Sequence, residues 1–93
     1  MKFDLGEEVM TQGIANMLND WSVCDELLNA INRYKNGDWG DLCEDDKALN
    51  DEAAQTNNGR ILASYKTSKG KIWIITDFCP SRNITTILLP EEY

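Results

Sequence analysis

The spacing of apolar residues changes near residue 59. Before that point apolar side chains recur every three to four positions, as on one face of a helix; after it they alternate or run together, as in strands. Ile14, Met17 and Leu18 predict a first helix over residues 12–20, with Thr11 as its cap and Gly13 as a weak point. Val23, Leu27, Ala30, Ile31 and Tyr34 form the stripe of a second helix, which Ser22 caps and Asn36-Gly37 stops. A third helix follows and runs to about Thr56, where Asn57-Asn58-Gly59 ends it. From there the pattern predicts strands over 60–66, 71–76 and 84–89, with a tight turn at 68–70 and a loop over 77–83. The middle run, Lys71-Ile72-Trp73-Ile74-Ile75-Thr76, is apolar on both faces and belongs at the centre of its sheet. Pro90 stops the last strand. Upstream, Phe3 and Leu5 alternate with Lys2 and Asp4, and Val9-Met10 follows Gly6, which suggests a short extended segment or edge strand. The expected fold is α+β in one small domain, residues 1–93. Its N-terminal helices pack on a C-terminal antiparallel β-meander of about three strands, with or without that N-terminal edge strand.

The third helix and the turn before it, residues 36–52, organise the rest. At 100° per residue from Asp41, Leu42, Leu49 and Ala53 share an arc near about 100°. Asp41, Glu44, Asp45, Asp51 and Glu52 occupy the arc from about 280° through 0° to about 40°. Asp41 is expected to cap this helix, with Glu44 at the third position of a capping box. Asp51 and Glu52 lie beyond the first turn, so capping does not account for them. Trp39, held between glycines beside Asp38, reads as a core plug whose N–H finds a carbonyl; the alternative is a ligand-stacking platform.

Charge sharpens this picture. The net charge is −7, and it is unevenly spread: residues 38–58 carry seven acids against the single base Lys47, whereas residues 59–93 carry five bases against three acids. Such a chain is repelled by nucleic acid and by anionic lipid, so a basic protein surface is the expected partner. The acids that would meet it are Asp41, Glu44, Asp45, Asp51 and Glu52; the blander reading of the same residues is a capped, solvated helix face. Histidine is absent, and Cys24, Cys43 and Cys79 lack metal-ligand spacing, so no metal, cofactor or disulfide framework is expected. Cys43 lies near a helix N-terminus, but its acidic neighbours oppose thiolate formation. Reduced thiols, a start without a long apolar run and no spanning segment point to the cytoplasm. A monomer fits, or a homodimer paired through an open edge of the meander.

An enzyme of the RNA-cleaving toxin type is the alternative. Arg60, Lys66, Arg82 and Tyr65 would carry it, with Asp77, Thr85 and Thr86 nearby. The blander reading of these residues is that Asp77 and Arg82 pair across their loop and the threonines simply suit a strand.

Three blocks carry a resemblance that covers nearly the whole chain. They are Phe3-Asp4-Leu5-Gly6 with Val9-Met10-Thr11-Gln12-Gly13; Gly37-Asp38-Trp39-Gly40-Asp41-Leu42-Cys43-Glu44-Asp45-Asp46-Lys47 with Asn50; and Ile72-Trp73-Ile74-Ile75-Thr76-Asp77 with Arg82 and Thr85-Thr86-Ile87-Leu88-Leu89-Pro90-Glu91-Glu92-Tyr93. Together they resemble a family of small proteins from plasmids, integrative elements and phages, labelled plasmid-related protein or subunit M of a type I restriction enzyme. The second label cannot be literal for a chain of 93 residues without a cofactor motif. The family pattern has Asp-Arg before the threonine pair, where this chain has the longer Phe78-Cys79-Pro80-Ser81-Arg82-Asn83. The resemblance brings no established chemistry. It implies a mobile-element setting, in which small acidic proteins block host defence. The expectation is therefore a non-enzymatic accessory protein that inhibits a CRISPR or restriction nuclease, its acidic helix face occupying a basic nucleic-acid channel. Besides the toxin-like domain, a regulatory module of a DNA-transfer system remains an alternative.

Overall fold

Two helices lie on one face of a four-stranded sheet, and a third closes one of its edges. The computed structural model describes residues 5–79 and 81–93. In chain order the elements are β1 (Glu7–Met10), α1 (Gln12–Met17), α2 (Trp21–Lys35), α3 (Glu44–Thr56), β2 (Gly59–Thr67), β3 (Gly70–Phe78), β4 (Ile84–Leu88) and a 3₁₀ turn (Pro90–Glu92). The expected α+β class holds, and β2, β3 and β4 form the antiparallel meander with β3 at its centre. The sheet is nevertheless mixed. Its order is β1-β4-β3-β2, and β1 lies parallel to β4, with Val9 opposite Thr86. The N-terminal strand therefore begins at Glu7; Lys2, Phe3 and Asp4 of the expected segment lie outside the described residues, as does Pro80 of the 77–83 loop. β3 continues through Asp77 and Phe78, shortening that loop, because both residues keep register with Arg60 and Gly59.

The core forms where the apolar stripes of α1 and α2 meet alternate residues of the strands. Ile14, Leu27, Ala30 and Tyr34 pack on Ile61, Ala63, Tyr65, Ile72, Ile74 and Ile87. α1 ends at Met17 rather than near residue 20, because Asp20 is taken as the cap of α2: its carboxylate accepts the Ser22 amide at 3.0 Å, displacing Ser22 from the cap position. Among these apolar groups runs a chain of hydroxyls. Tyr34 Oη and Thr76 Oγ1 are 2.6 Å apart, Thr76 and Thr85 are 2.8 Å apart, and Thr85 lies 2.7 Å from the carbonyl of Leu5. A carbonyl only accepts and each hydroxyl has one proton, so the direction is set: Tyr34 donates to Thr76, Thr76 to Thr85 and Thr85 to Leu5. Burial pushes the Tyr34 phenol well above its ordinary pKa and keeps it the donor this chain requires.

The C-terminal turn ties the chain end to α1. Glu92 Oε1 accepts from the Thr11 hydroxyl at 2.5 Å and from the Leu89 amide at 3.0 Å, and Oε2 accepts from the Gly13 amide at 3.2 Å. Thr11 does sit at the cap position, but its hydroxyl makes no cap bond of its own; Glu92, from the far end of the chain, supplies the acceptor. The glycine that weakens α1 in isolation lies close against this turn: a Cβ on Gly13 would come within 2.6 Å of Leu89 Cδ1 and 2.7 Å of Glu92 Oε1, so those side-chain ends would have to shift. The Thr11 hydroxyl, then the Leu89 amide, hold the Glu92 carboxyl below the ordinary glutamate pKa. The linkage follows in sign: the latch is fully present above the unfolded-state value and fades as pH falls through the lower folded value. An amide-resolved NMR titration should therefore show the Gly13 N–H moving with a midpoint below that of an ordinary glutamate. Glu92→Gln should abolish that titration and speed exchange of the Gly13 amide. A Gly13 signal indifferent to pH in the wild type would contradict the latch.

Candidate functional site

The expected site lies on α3, and its placement starts with the turn that precedes it. Arg33 Nε meets Asp38 Oδ2 at 2.8 Å, and this guanidinium holds the Asp38 carboxyl below its usual range. Asp38 Oδ1 also accepts the Gly40 amide at 3.1 Å, while Tyr65 donates to the Asp38 carbonyl at 2.6 Å. The chain then runs extended beside β2. The Asp41 amide donates to Ser64 O at 2.8 Å, the Ser64 amide donates to Trp39 O at 3.4 Å, and Gly40 and Ser64 form a parallel bridge. One step along, Asn50 Nδ2 donates to Leu62 O at 2.8 Å. The outer edge of β2 is thus covered along residues 62–64, and the other edge of the sheet is β1.

This docking corrects three expectations about α3. Asp41 is not its cap: the backbone of Asp41 is engaged as extended chain, α3 starts at Glu44, and Cys43 occupies the cap position without a side-chain cap bond. Glu44 is consequently the first helical residue, and the capping box with Asp41 does not form. The helix is also rotated by roughly a quarter turn from the angular prediction. Its inward residues are Asn50 and Ala54, whereas Leu49 is 63% exposed. The reason is polar: β2 presents an unpaired edge carbonyl at Leu62, and Asn50 can satisfy it where a leucine cannot. Trp39 is the core plug, 2% exposed and edge-on to Tyr34 at 5.4 Å between ring centroids. Its Nε1–H donates not to a carbonyl but to Asp51 Oδ1, at 2.9 Å. Asp51 is therefore half-buried and occupied, and it drops out of the acidic face.

What remains exposed is Asp41, Glu44, Asp45 and Glu52, joined by Asp46. Lys47 lies 3.8 Å from Glu44. Beside these carboxylates, Leu42, Asp46, Leu49, Asn50, Arg60 and Leu62 line an open cleft of about 320 Å³ between α3 and β2. Angular spacing groups Leu49 with Leu42 and Ala53 and does not show the cleft; the polar bonds of Asn50 and Asp51 set the orientation of the helix.

The residues of the enzymatic alternative do not converge. Arg60 Nε pairs with Asp77 Oδ1 at 2.7 Å, its cross-strand neighbour, and Arg60 Nη1 donates to Tyr93 Oη at 2.7 Å. Arg82 pairs instead with Glu7 at 3.1 Å, so the expected Asp77–Arg82 pair does not form. Tyr65 is buried among core residues on the opposite face from Arg60, with its phenol pKa pushed up by burial and its proton given to Asp38. Lys66 is exposed opposite Lys71, and Thr85 lies in the buried hydroxyl chain while Thr86 is half-buried. Cys43 and Cys79 are exposed free thiols and Cys24 is half-buried. Among the described residues there is no grouping of His, Cys, Asp and Glu suited to a metal ion, and no helix is long and apolar enough to cross a membrane. Comparison with protein-family models, with curated proteins and with solved structures yields no match for this chain.

Proposed function

We propose that this is a cytoplasmic, non-enzymatic accessory protein of a mobile element or phage, which binds a basic protein surface through the exposed carboxylates of α3 and of the segment before it. The favoured partner is a nucleic-acid-processing defence enzyme, of the CRISPR or restriction kind, whose cationic channel the acids would occupy in place of phosphates. The observation that carries this reading is the surface formed by Asp41, Glu44, Asp45, Asp46 and Glu52, with Lys47 as the one base in residues 38–58. The resemblance to proteins of plasmids and phages supplies the setting. Dispersal of Arg60, Tyr65 and Arg82 over separate contacts counts against the toxin-like alternative.

Binding of this kind weakens with salt, because exposed charges are screened within a Debye length of about 8 Å at physiological ionic strength. Replacing the five acids by Asn or Gln removes contacts worth about 0.2–1 kcal/mol each, or roughly fivefold to a few thousandfold in affinity together. The test is capture of host enzymes at low and high salt, followed by competition of each captured enzyme with DNA or RNA, wild type beside the five-fold variant. Circular dichroism checks that the variant is folded. A nucleic-acid enzyme held by the wild type, displaced by nucleic acid and lost with the variant is expected. Equal capture by the folded variant sinks the proposal.

A further inference from the structure

The cleft beside α3 identifies what the partner must offer besides positive charge. On a helix surface, residues three and four apart are neighbours. Leu49 thus has Asp45 and Asp46 on one side and Glu52 on the other, and all three carboxylates are exposed. An exposed leucine ringed by acids, standing over a cleft that Leu42 and Leu62 also line, differs from a leucine scattered singly on a surface. The cleft's one cation, Arg60, is already committed to Asp77 and Tyr93, so the rim of the opening is acidic in effect. Volume agrees with this use: about 320 Å³ is at the lower end of the range for a ligand pocket and has room for one or two side chains.

We infer that this cleft takes an apolar side chain from a basic partner segment, a leucine or phenylalanine flanked by lysines or arginines. The inference rests on the acidic-surface reading above and deepens it. The apolar side chain seats against Leu42, Leu49 and Leu62, while the flanking cations meet Asp45, Asp46 and Glu52. Acids alone would give attraction without register; the leucine cleft fixes where the segment sits, as apolar anchors do at the centres of interfaces with polar rims. The two parts differ in their response to salt. The ionic part is screened, whereas burial of the anchor is not.

The test uses the full chain with ¹³C-labelled methyl groups and two synthetic twelve-residue lysine-rich peptides, identical except for leucine or serine at the central position. The leucine peptide is expected to shift the methyl resonances of Leu42, Leu49 and Leu62 and to bind about tenfold more tightly than the serine peptide, the effect of burying one such side chain. That tenfold advantage should persist when salt is raised, although both affinities fall. Leu49→Ser should reduce it to near unity while leaving the salt dependence intact. Equal affinity of the two peptides for the wild type, or no binding of either, overturns the cleft inference. Equal affinity with strong salt dependence overturns the cleft alone and leaves the acidic-surface reading standing. A leucine preference that survives neutralisation of the five acids, with salt dependence lost in neither protein, supports the cleft and overturns the acidic surface.

Discussion

Trp39→Ala is expected to remove a large share of the protein's stability at room temperature. The indole is 2% exposed, lies edge-on to Tyr34 and donates to Asp51, so it joins the turn, α2 and α3 at one point. Removing a buried aromatic ring from a core costs about 3–5 kcal/mol. A domain of this size has roughly 5–14 kcal/mol in total. The loss should appear in urea unfolding as a midpoint lowered by about 2 M. Two companions separate the causes. Trp39→Phe keeps most of the ring but leaves Asp51 without its donor, for a cost of about 1–3 kcal/mol. Asp51→Asn keeps an oxygen acceptor and should cost less than either. A Trp39→Ala midpoint close to wild type would mean that α3 docks by other means.

Gly40→Ala should be nearly as damaging, for a different reason. Gly40 has φ +73°, in the left-handed region, and a Cβ there would lie 2.0 Å from the carbonyl oxygen of Ser64. The backbone conformation costs an alanine about 1–2 kcal/mol, and relieving the clash costs a further 1–3 kcal/mol. Together these predict a melting temperature lower by about 10–25 °C. Relief of the clash requires residues 39–41 to lift from β2, which frees the Ser64 amide and reopens the sheet edge. Faster exchange of the Ser64 amide and concentration-dependent self-association in sedimentation should therefore accompany the loss of stability. Unchanged protection of Ser64 in the variant would contradict the bridge.

The two variants bear on function as well, because α3 reaches its position only through this turn. If the turn loosens, the exposed acids remain on the chain but lose their fixed arrangement beside Leu42 and Leu62. A partner that reads charge alone would tolerate that loss better than one that also seats an apolar side chain in the cleft.

Much of this molecule is legible from local pattern. The helical stripe from Val23 to Tyr34, the change to strand period after residue 59 and the central place of residues 71–76 all follow from side-chain periodicity, which is set within each element. Of the two readings of Trp39, the core plug is the one the structure bears out, as expected for a large apolar ring whose burial is favourable. Other features depend on partners distant in sequence. Whether Asp41 caps a helix or pairs with a strand was decided by the open edge at Ser64, more than 20 residues away. Glu92 caps α1 across nearly the whole chain, and β1 joins β4 in parallel, which no hairpin signal announces. The rotation of α3 is of the same kind. Its own apolar residues favour one face, but a helix docked on a sheet edge turns to satisfy the polar groups it meets, and Leu62 and Trp39 presented a carbonyl and an N–H. Periodicity thus determined which segments are helices and strands. The satisfaction of buried backbone and indole hydrogen bonds, visible only in three dimensions, decided which face of α3 turned inward and so which residues were left for a partner.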